Sequence, residues 1–223
     1  MTYPSTSNAN GIWTLRDTFL ARKGNIWPSV LAPNLDPFFD YVSLLLSMDG
    51  IDASTTFTDS SNNGLTVTAN GNAAISTSEG KFGQSAAFDG NFDWLEIADD
   101  PAFDLFGDFT VECWFYPTSA SGTFPRLWAF GPYQAANTMT LSFANDGSAD
   151  QGRIYLDFNG SQYATAASLV SFDTWYHIAV VRIGSSIKVY LDGIERLSVT
   201  SSAAVQQSEP FIIGELHGNT GNN

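Results

Sequence analysis

The chain of 223 residues holds 23 acidic and 9 basic residues, a formal net charge of −14, with 43% apolar and 14% aromatic residues. This acidity excludes nucleic acid as a partner, because phosphate contacts need clustered Lys and Arg. The single Cys113 excludes an intrachain disulfide framework, and no apolar run approaches the ~18 residues of a membrane span. We therefore expect one domain with an ample core, no membrane partner and no secretion signal.

The N-terminal segment, residues 1–29, differs in charge from the rest of the chain. Residues 1–28 carry a net charge of +2, so the remainder carries −16. Thr14 and Asp17 resemble a capping box, and residues 15–23 suit a helix of about two turns. So short a helix is unstable alone. We expect it to dock on its own chain or, preferably, on another subunit. The predicted anchor side chains are Ile12, Trp13, Leu15, Arg16, Phe19, Arg22, Lys23 and Trp27.

A proline-rich linker, residues 30–40, precedes a long region of short apolar runs bounded by Gly, Asn, Asp or Pro. About a dozen such runs with no helical period predict an all-β fold, a two-sheet antiparallel sandwich over residues 41–223. The predicted strands include VSLLLSM, LTVTA, SAAFDG, DWLEIA, FTVECWFY, TMTLSFA, GRIYLDF, WYHIAVVR, IKVYL, IERLSV and FIIG.

Two consecutive hairpins are predicted within residues 175–199. WYHIAVVR and IKVYL are joined through residues 184–186, and IKVYL and IERLSV are joined at Asp192-Gly193. Asp-Gly is the dipeptide that a type I′ turn favours, because both of its residues need a positive φ. Trp175 and Trp114 are expected in the core or on the inner strand face, and Cys113 is expected to be buried.

The order of these motifs resembles the laminin-G-like, concanavalin-type jelly-roll modules. KFGQSAAFDG, GDFTVECWFYP, WYHIAVVRIGSSIKVYLDG and FIIGE are similar to successive signatures of that family, over residues 42–216. The resemblance implies a closing strand after FIIGE, but this chain ends in HGNTGNN. We therefore expect the jelly roll to lack its final strand and the natural chain to be longer.

The N-terminal segment resembles leader segments of structural proteins in tailed bacteriophages. This resemblance implies a non-enzymatic virion protein, such as a head fibre, decoration, neck or tail fibre. Its expected partners are other virion proteins through the anchor, host surface glycans through the jelly roll, and further copies of itself. The alternative is a calcium-dependent carbohydrate-binding module of a bacterial surface protein.

Catalytic patterns are missing from the sequence. A glycosidase needs two carboxylates on one face, and the motif Glu-x-Asp-x-x-Glu that laminarinase-like jelly rolls supply does not occur. No G-x-S-x-G elbow occurs either, and His177 lies in a predicted strand, where a structural histidine is the ordinary interpretation. We expect no enzyme activity.

Calcium is the only cofactor that the sequence suggests. Asp146 and Asp150 alternate with Ser148 in a loop whose spacing is similar to an EF-hand, although a solvated hairpin turn is the simpler interpretation. Asp49 and Asp59 lie where the family resemblance implies a metal site. The predicted ligands are therefore Asp49, Asp59, Asp146 and Asp150.

Sugar binding would use aromatic rings with amide or charged side chains nearby. The segments PRLWAFGPYQAANT and GSQYAT supply such residues. For the Trp in the first segment, a place in the core and a role as a platform are both open. The predicted sugar-binding residues are Arg126, Trp128, Tyr133, Gln134, Asn137 and Tyr163, with Gln162 beside the last.

Overall fold

A computed structural model of the chain describes residues 38–118, 123–206 and 208–215. The chain divides into two units, Met1–Tyr41 and Val42–Asn223. Within the first unit, the described residues form one 3-10 turn, Phe39–Tyr41. The predicted helix at residues 15–23 and all the anchor side chains lie outside the described residues.

The second unit consists almost entirely of short antiparallel strands, as the alternating apolar runs predict. The strands are β1 (Phe57–Thr58), β2 (Thr66–Asn70), β3 (Ala74–Ser76), β4 (Ser85–Ala87), β5 (Trp94–Ile97), β6 (Phe109–Phe115), β7 (Arg126–Phe130), β8 (Met139–Phe143), β9 (Ile154–Phe158), β10 (Ser161–Ala164), β11 (Tyr176–Ile183), β12 (Ser186–Leu191), β13 (Ile194–Thr200) and β14 (Phe211–Ile213). No helix among the described residues is long and apolar enough to cross a membrane.

The strands form two main sheets and one small hairpin sheet. The eight-stranded sheet has the order β1-β2-β5-β14-β7-β8-β9-β10, and the four-stranded sheet has the order β13-β12-β11-β6. The remaining pair is β3-β4. Neighbouring strands in the large sheet need not be consecutive in the sequence. The last strand, β14, lies between β5 and β7. This confirms the predicted all-β sandwich.

The main core lies between the two large sheets. Leu141, Leu156 and Phe158 from the eight-stranded sheet and Ile178 and Val189 from the four-stranded sheet belong to one cluster of buried residues. Each is almost fully buried. Successive side chains of a strand point to opposite faces of the sheet. The residues that alternate with these core residues along each strand therefore lie on the outer faces.

Both predicted hairpins are confirmed. Ile183 pairs with Ser186, so Gly184 and Ser185 make a two-residue turn. Asp192 and Gly193 both have positive φ, 51° and 75°, which is the type I′ conformation.

The predicted strand at residues 42–48 is wrong. It makes only an isolated bridge, from Leu46 to Asp59. Asp59 explains the difference, because its carboxylate accepts the N–H of Leu45 at 3.0 Å in place of a backbone carbonyl. Strands β1, β3, β7 and β10 were not among the predicted runs, and three of them are only two to four residues long.

The expectation that Trp114 is buried is also wrong. Its side chain is 40% exposed on the outer face of β6, while Phe115 beside it enters the core. Trp114 stacks edge-on against Phe82, and the ammonium of Lys81 lies 4.4 Å from its ring centroid.

Cys113 packs against the core, and burial raises the pKa of its thiol to about 12.

Candidate functional site

Polar side chains form a row across the outer face of the eight-stranded sheet. Thr140 on β8 pairs with Asp157 on β9, which pairs with Gln162 on β10. Their strand neighbours, such as Leu141 and Leu156, enter the core, so alternation places the polar row on the opposite face. A tight antiparallel register therefore brings together three polar residues from three strands.

Asp157 is the most unusual member of this row. Its side chain is fully buried, with 0% exposure. Its Oδ2 accepts the hydroxyl of Thr140 at 3.1 Å, but its Oδ1 has no hydrogen-bond partner among the described residues. Burial raises the pKa of Asp157 to about 6, although the Thr140 hydroxyl, the Arg126 guanidinium and the Gln162 amide oppose the shift.

Arg126, at the start of β7, supplies the positive charge near Asp157. Burial lowers the pKa of its guanidinium, and the charges of Asp157, Tyr133 and Glu215 oppose that shift. Glu215, which follows β14, is itself 5% exposed. The guanidinium is thus within electrostatic range of two buried carboxylates.

Tyr133 connects the buried charges to the surface. The guanidinium carbon of Arg126 lies 5.2 Å from its ring centroid, a cation–π geometry. The Gln162 amide donates to the Tyr133 hydroxyl at 2.9 Å. The ring remains 37% exposed. We call Arg126, Tyr133, Thr140, Asp157 and Gln162 the Asp157 site.

The structure brings only part of the predicted sugar-binding set together. Arg126 and Tyr133 meet in the Asp157 site. Gln134 and Asn137 are exposed in the loop that follows β7, where both have positive φ. The N–H of Asn137 donates to the Asn159 side chain at 2.9 Å.

The other two predicted sugar-binding residues face the core. Trp128 is 3% exposed within the main cluster, so its ring is no platform, and Tyr163 packs against the same cluster. Arg126 and Trp128 are two positions apart, so simple alternation would put them on the same face of the sheet. A register shift between them breaks this alternation, and only Trp128 faces the core. The sequence reasoning missed Thr140 and Asp157, although each is a polar residue between two core residues.

The four predicted calcium ligands do not lie together. Asp59 is at β1, and Asp146 and Asp150 are in the loop between β8 and β9, about five strand spacings or ~24 Å away across the sheet. Asp49 is exposed in the segment before β1. Over the described ranges, no group of three or more His, Cys, Asp or Glu side chains is arranged to hold a metal ion.

Three of these carboxylates, Asp59, Asp146 and Asp150, have protein partners. Burial raises the pKa of Asp59, but donation from the N–H groups of Leu45, Ser61 and Leu65 outweighs it and holds the pKa below its ordinary value. Asp150 pairs with Arg153 at 3.0 Å.

The one further acid in the same polar row is too distant for a glycosidase pair with Asp157. Glu96 on β5 accepts the indole N–H of Trp94 at 3.1 Å. Four strand spacings separate β5 from β9, which is about 19 Å. The two carboxyl groups of a glycosidase are about 5–9.5 Å apart.

Comparisons with known proteins agree with this architecture. Residues 88–222 match the family described as the concanavalin A-like lectin/glucanases superfamily. Domain 4 of AbnA, a GH43 extracellular arabinanase from Geobacillus stearothermophilus solved with arabinotriose, is similar at 21% identity and TM-score 0.48, over 73% of this chain and 77% of that one. The carbohydrate-binding module CBM66 from Bacillus subtilis is similar at 16% identity and TM-score 0.41, over 67% and 88%.

The binding domain of botulinum neurotoxin DC, solved with rat synaptotagmin II, has a TM-score of 0.51 at 8% identity. That match covers 78% of this chain and 44% of the toxin domain, so the chain spans less than half of that domain. A comparison with curated protein sequences finds no significant match. The sandwich, its motif order and the family match over more than half of its length together place the chain in the concanavalin A-like lectin/glucanase superfamily, in the laminin-G-like group.

Proposed function

We propose that the protein binds carbohydrate without catalysis, through the Asp157 site. One observation carries the proposal. The Oδ1 atom of Asp157 is buried and has no hydrogen-bond partner among the described residues, and an exposed aromatic ring, Tyr133, lies in the same site. Leaving such an acceptor unpaired is costly, so native proteins retain it where a ligand or water completes it. Sugar hydroxyls are donors of the required kind, and an aromatic ring offers a face to sugar C–H groups.

Two further observations support this proposal. The family that residues 88–222 match includes lectins. The 19 Å between Glu96 and Asp157 does not favour the catalytic alternative in this row.

The test is binding of the full chain to a broad glycan array, in calcium and in chelator. Tyr133→Ala should abolish the binding of wild-type ligands, because it removes the exposed ring and the Gln162 partner. The matched control is Phe82→Ala, which removes a 78% exposed ring beside β6 of the other sheet. Equal loss in both variants, or no loss in Tyr133→Ala, would place binding elsewhere.

We propose further that the jelly roll is displayed on the particle of a tailed bacteriophage. The support is the sequence of residues 12–27, with its aromatic and basic side chains, and the charge difference between the segment and the remainder. A double variant, Trp13→Ala with Phe19→Ala, should prevent incorporation into particles while glycan binding is kept. Normal incorporation would contradict this placement and favour the alternative, a module of a bacterial surface protein.

Calcium dependence belongs to that alternative and rests on the sequence alone. If the prediction is correct, millimolar Ca²⁺ should raise the melting temperature of the full chain. An unchanged melting temperature with and without chelator would contradict it.

A further inference from the structure

Strand β6 lies at the edge of the four-stranded sheet and is paired on one side only. Its residues, Phe109–Phe115, pair with β11 and with no other described strand. In the part of the chain that the structure describes, no loop makes a backbone hydrogen bond to β6 either. An unpaired strand edge presents a row of N–H and C=O groups that can pair with another strand.

The direction of the backbone groups of β11 follows from its contact with Asp192, the residue after β12. The N–H of Asp192 donates to the carbonyl of His177 at 2.8 Å, and the N–H of His177 donates to the Asp192 carboxylate at 2.9 Å. The backbone of His177 therefore faces β12. Since this direction alternates along an antiparallel strand, the backbone of Ile178 faces β6.

The same alternation determines which backbone groups of β6 are free. Ile178 pairs with Cys113, so the backbone of Cys113 faces β11. Thr110, Glu112 and Trp114 lie one or three positions from Cys113, and their backbones face the other way. The N–H and C=O groups of these three residues therefore point to the free edge.

The core is incompletely covered beside this edge. Val111, in the middle of β6, faces the core but is only half-buried, whereas its partner on β11, Val180, is 0% exposed. Phe109 is half-buried as well. A further strand on β6 would place its inward side chains beside Phe109 and Val111, because side chains on one face of adjacent strands lie about 5 Å apart.

The other sheet edges are less suited to pairing. Strands β1, β3, β4 and β10 are two to four residues long. Strand β13 is longer, but its register shifts and makes Arg196 an extra residue. Short strands, bulges and charged side chains are devices that protect an edge from pairing. The register of β6 with β11 runs unbroken from Phe109 to Phe115.

Charge argues against a second copy of the chain as the occupant. Because β6 spans Phe109–Phe115, full antiparallel pairing with itself places Glu112 opposite Glu112. Like charges directly opposite destabilise a strand pair, and the net charge of −14 adds repulsion. The Glu112 side chain is 58% exposed, lies 3.5 Å from the His177 imidazole and has no Lys or Arg partner in the described ranges. A basic side chain opposite Glu112 would supply that partner.

We propose that β6 is a docking edge for a partner protein, which adds one extended segment to the four-stranded sheet with a Lys or Arg opposite Glu112. The backbone groups of Thr110, Glu112 and Trp114 provide affinity, and the side-chain pattern provides the choice of partner. The inward side chains of the segment are apolar and cover Phe109 and Val111. This edge is separate from the Asp157 site, which lies on the other sheet.

Hydrogen exchange followed by NMR tests whether the edge is free in the full chain. The amides of Thr110, Glu112 and Trp114 should exchange at least about tenfold faster than those of Val111 and Cys113, which bond to β11. Slow exchange of the first three at every protein concentration would mean that the chain fills its own edge. Slow exchange only at high concentration would mean that a second copy fills it. Either result overturns the proposal.

The probe for docking is the synthetic peptide Thr-Val-Thr-Val-Lys-Val-Thr-Val-Thr, and its match has Glu in place of Lys. The Lys peptide should slow the exchange of the Thr110, Glu112 and Trp114 amides. It should bind the full chain at least about threefold more tightly than the Glu peptide, and Glu112→Lys should reverse this preference. Failure of both peptides to bind, or equal binding of the two, overturns the proposal.

Thr110→Pro tests the backbone bonds of the edge. Proline removes an N–H that faces the free edge and leaves the bonds between β6 and β11 in place. Binding of the Lys peptide should fall at least about fivefold, whereas the control Thr110→Val, which keeps the N–H, should change it less than about twofold. Unchanged binding to a folded Thr110→Pro variant overturns the proposal. If that variant does not fold, the reversal in Glu112→Lys decides.

Discussion

Substituting the buried carboxylate, Asp157→Asn, should stabilise the protein at neutral pH and lose most of that advantage in acid. Burial raises the pKa of Asp157 from 3.8 to about 6 in the folded state. The folded state therefore holds this proton more tightly than the unfolded chain. The protonated Asp157 therefore contributes to the free energy of unfolding. This contribution is fully present below pH ~4 and is lost as the pH rises through about 6.

The magnitude follows from the size of the shift. About two pKa units at 1.36 kcal/mol each make the ionised carboxylate cost about 3 kcal/mol above pH ~6. At pH 4.5 the Asp157 carboxyl is still protonated in the folded state but mostly ionised in the unfolded chain. This difference destabilises the folded wild type by about 1 kcal/mol. Losing part of the Thr140 hydrogen bond subtracts about 1 kcal/mol at either pH. The variant should therefore gain about 2 kcal/mol over wild type at pH 7.5 and about zero at pH 4.5.

Urea unfolding, followed by tryptophan fluorescence, measures the free energies of unfolding of wild type and variant at both pH values. The contributions of other titrating groups cancel when the two proteins are compared at the same pH. A difference that does not change with pH, or a less stable variant at pH 7.5, would refute the reasoning. The control is Asp59→Asn, because that buried carboxylate accepts three backbone N–H groups and has a lowered pKa. It should lose about 2 kcal/mol or more at pH 7.5, with the loss shrinking in acid.

Three further substitutions test the packing and the turns. Trp128→Phe should change stability by less than about 1 kcal/mol, because the buried indole N–H has no partner to lose among the described residues, as calorimetry would show. Gly193→Ala should cost about 1 kcal/mol in urea unfolding, since φ is 75° there. Arg182→Met should cost about 2 kcal/mol, because the 5% exposed guanidinium donates to the carbonyls of Gly184 and Ala203 at 2.8 and 2.6 Å. Unchanged unfolding midpoints in the last two would contradict these roles.

The fold could be predicted where local chemistry decides it. Asp192-Gly193 determines its own turn, because few other dipeptides accept two positive φ values. The two pairs next to the turn, Leu191 with Ile194 and Tyr190 with Glu195, follow from it, but the register shifts at the next pair. The strand at residues 42–48 could not be predicted in the same way. Its apolar pattern is strand-like, but Asp59, fourteen residues after Leu45, takes the place of the pairing strand.

Trp114 and Trp128 show where strand alternation predicts the face of a side chain and where it does not. Trp114 is out of phase with Phe109, Val111 and Phe115, so alternation along β6 puts it on the outer face, and the expectation that it is buried is wrong because it did not follow this pattern. Trp128 could not be assigned this way, because the register shift after Arg126 breaks the alternation within β7. A bulge depends on the neighbouring strand, which the sequence of β7 does not contain.

The acidity of the chain has a structural explanation that isolates Asp157. Eight aspartates accept backbone N–H groups in loops and turns, and so hold the connections of the sandwich: Asp52, Asp59, Asp89, Asp93, Asp100, Asp108, Asp146 and Asp192. Two of them, Asp59 and Asp93, are buried, and each accepts at least two backbone N–H groups. Asp157 is buried as deeply but accepts only one hydroxyl and organises no loop among the described residues. The proposed carbohydrate ligand, by donating to the second carboxylate oxygen, would account for a carboxylate at this position.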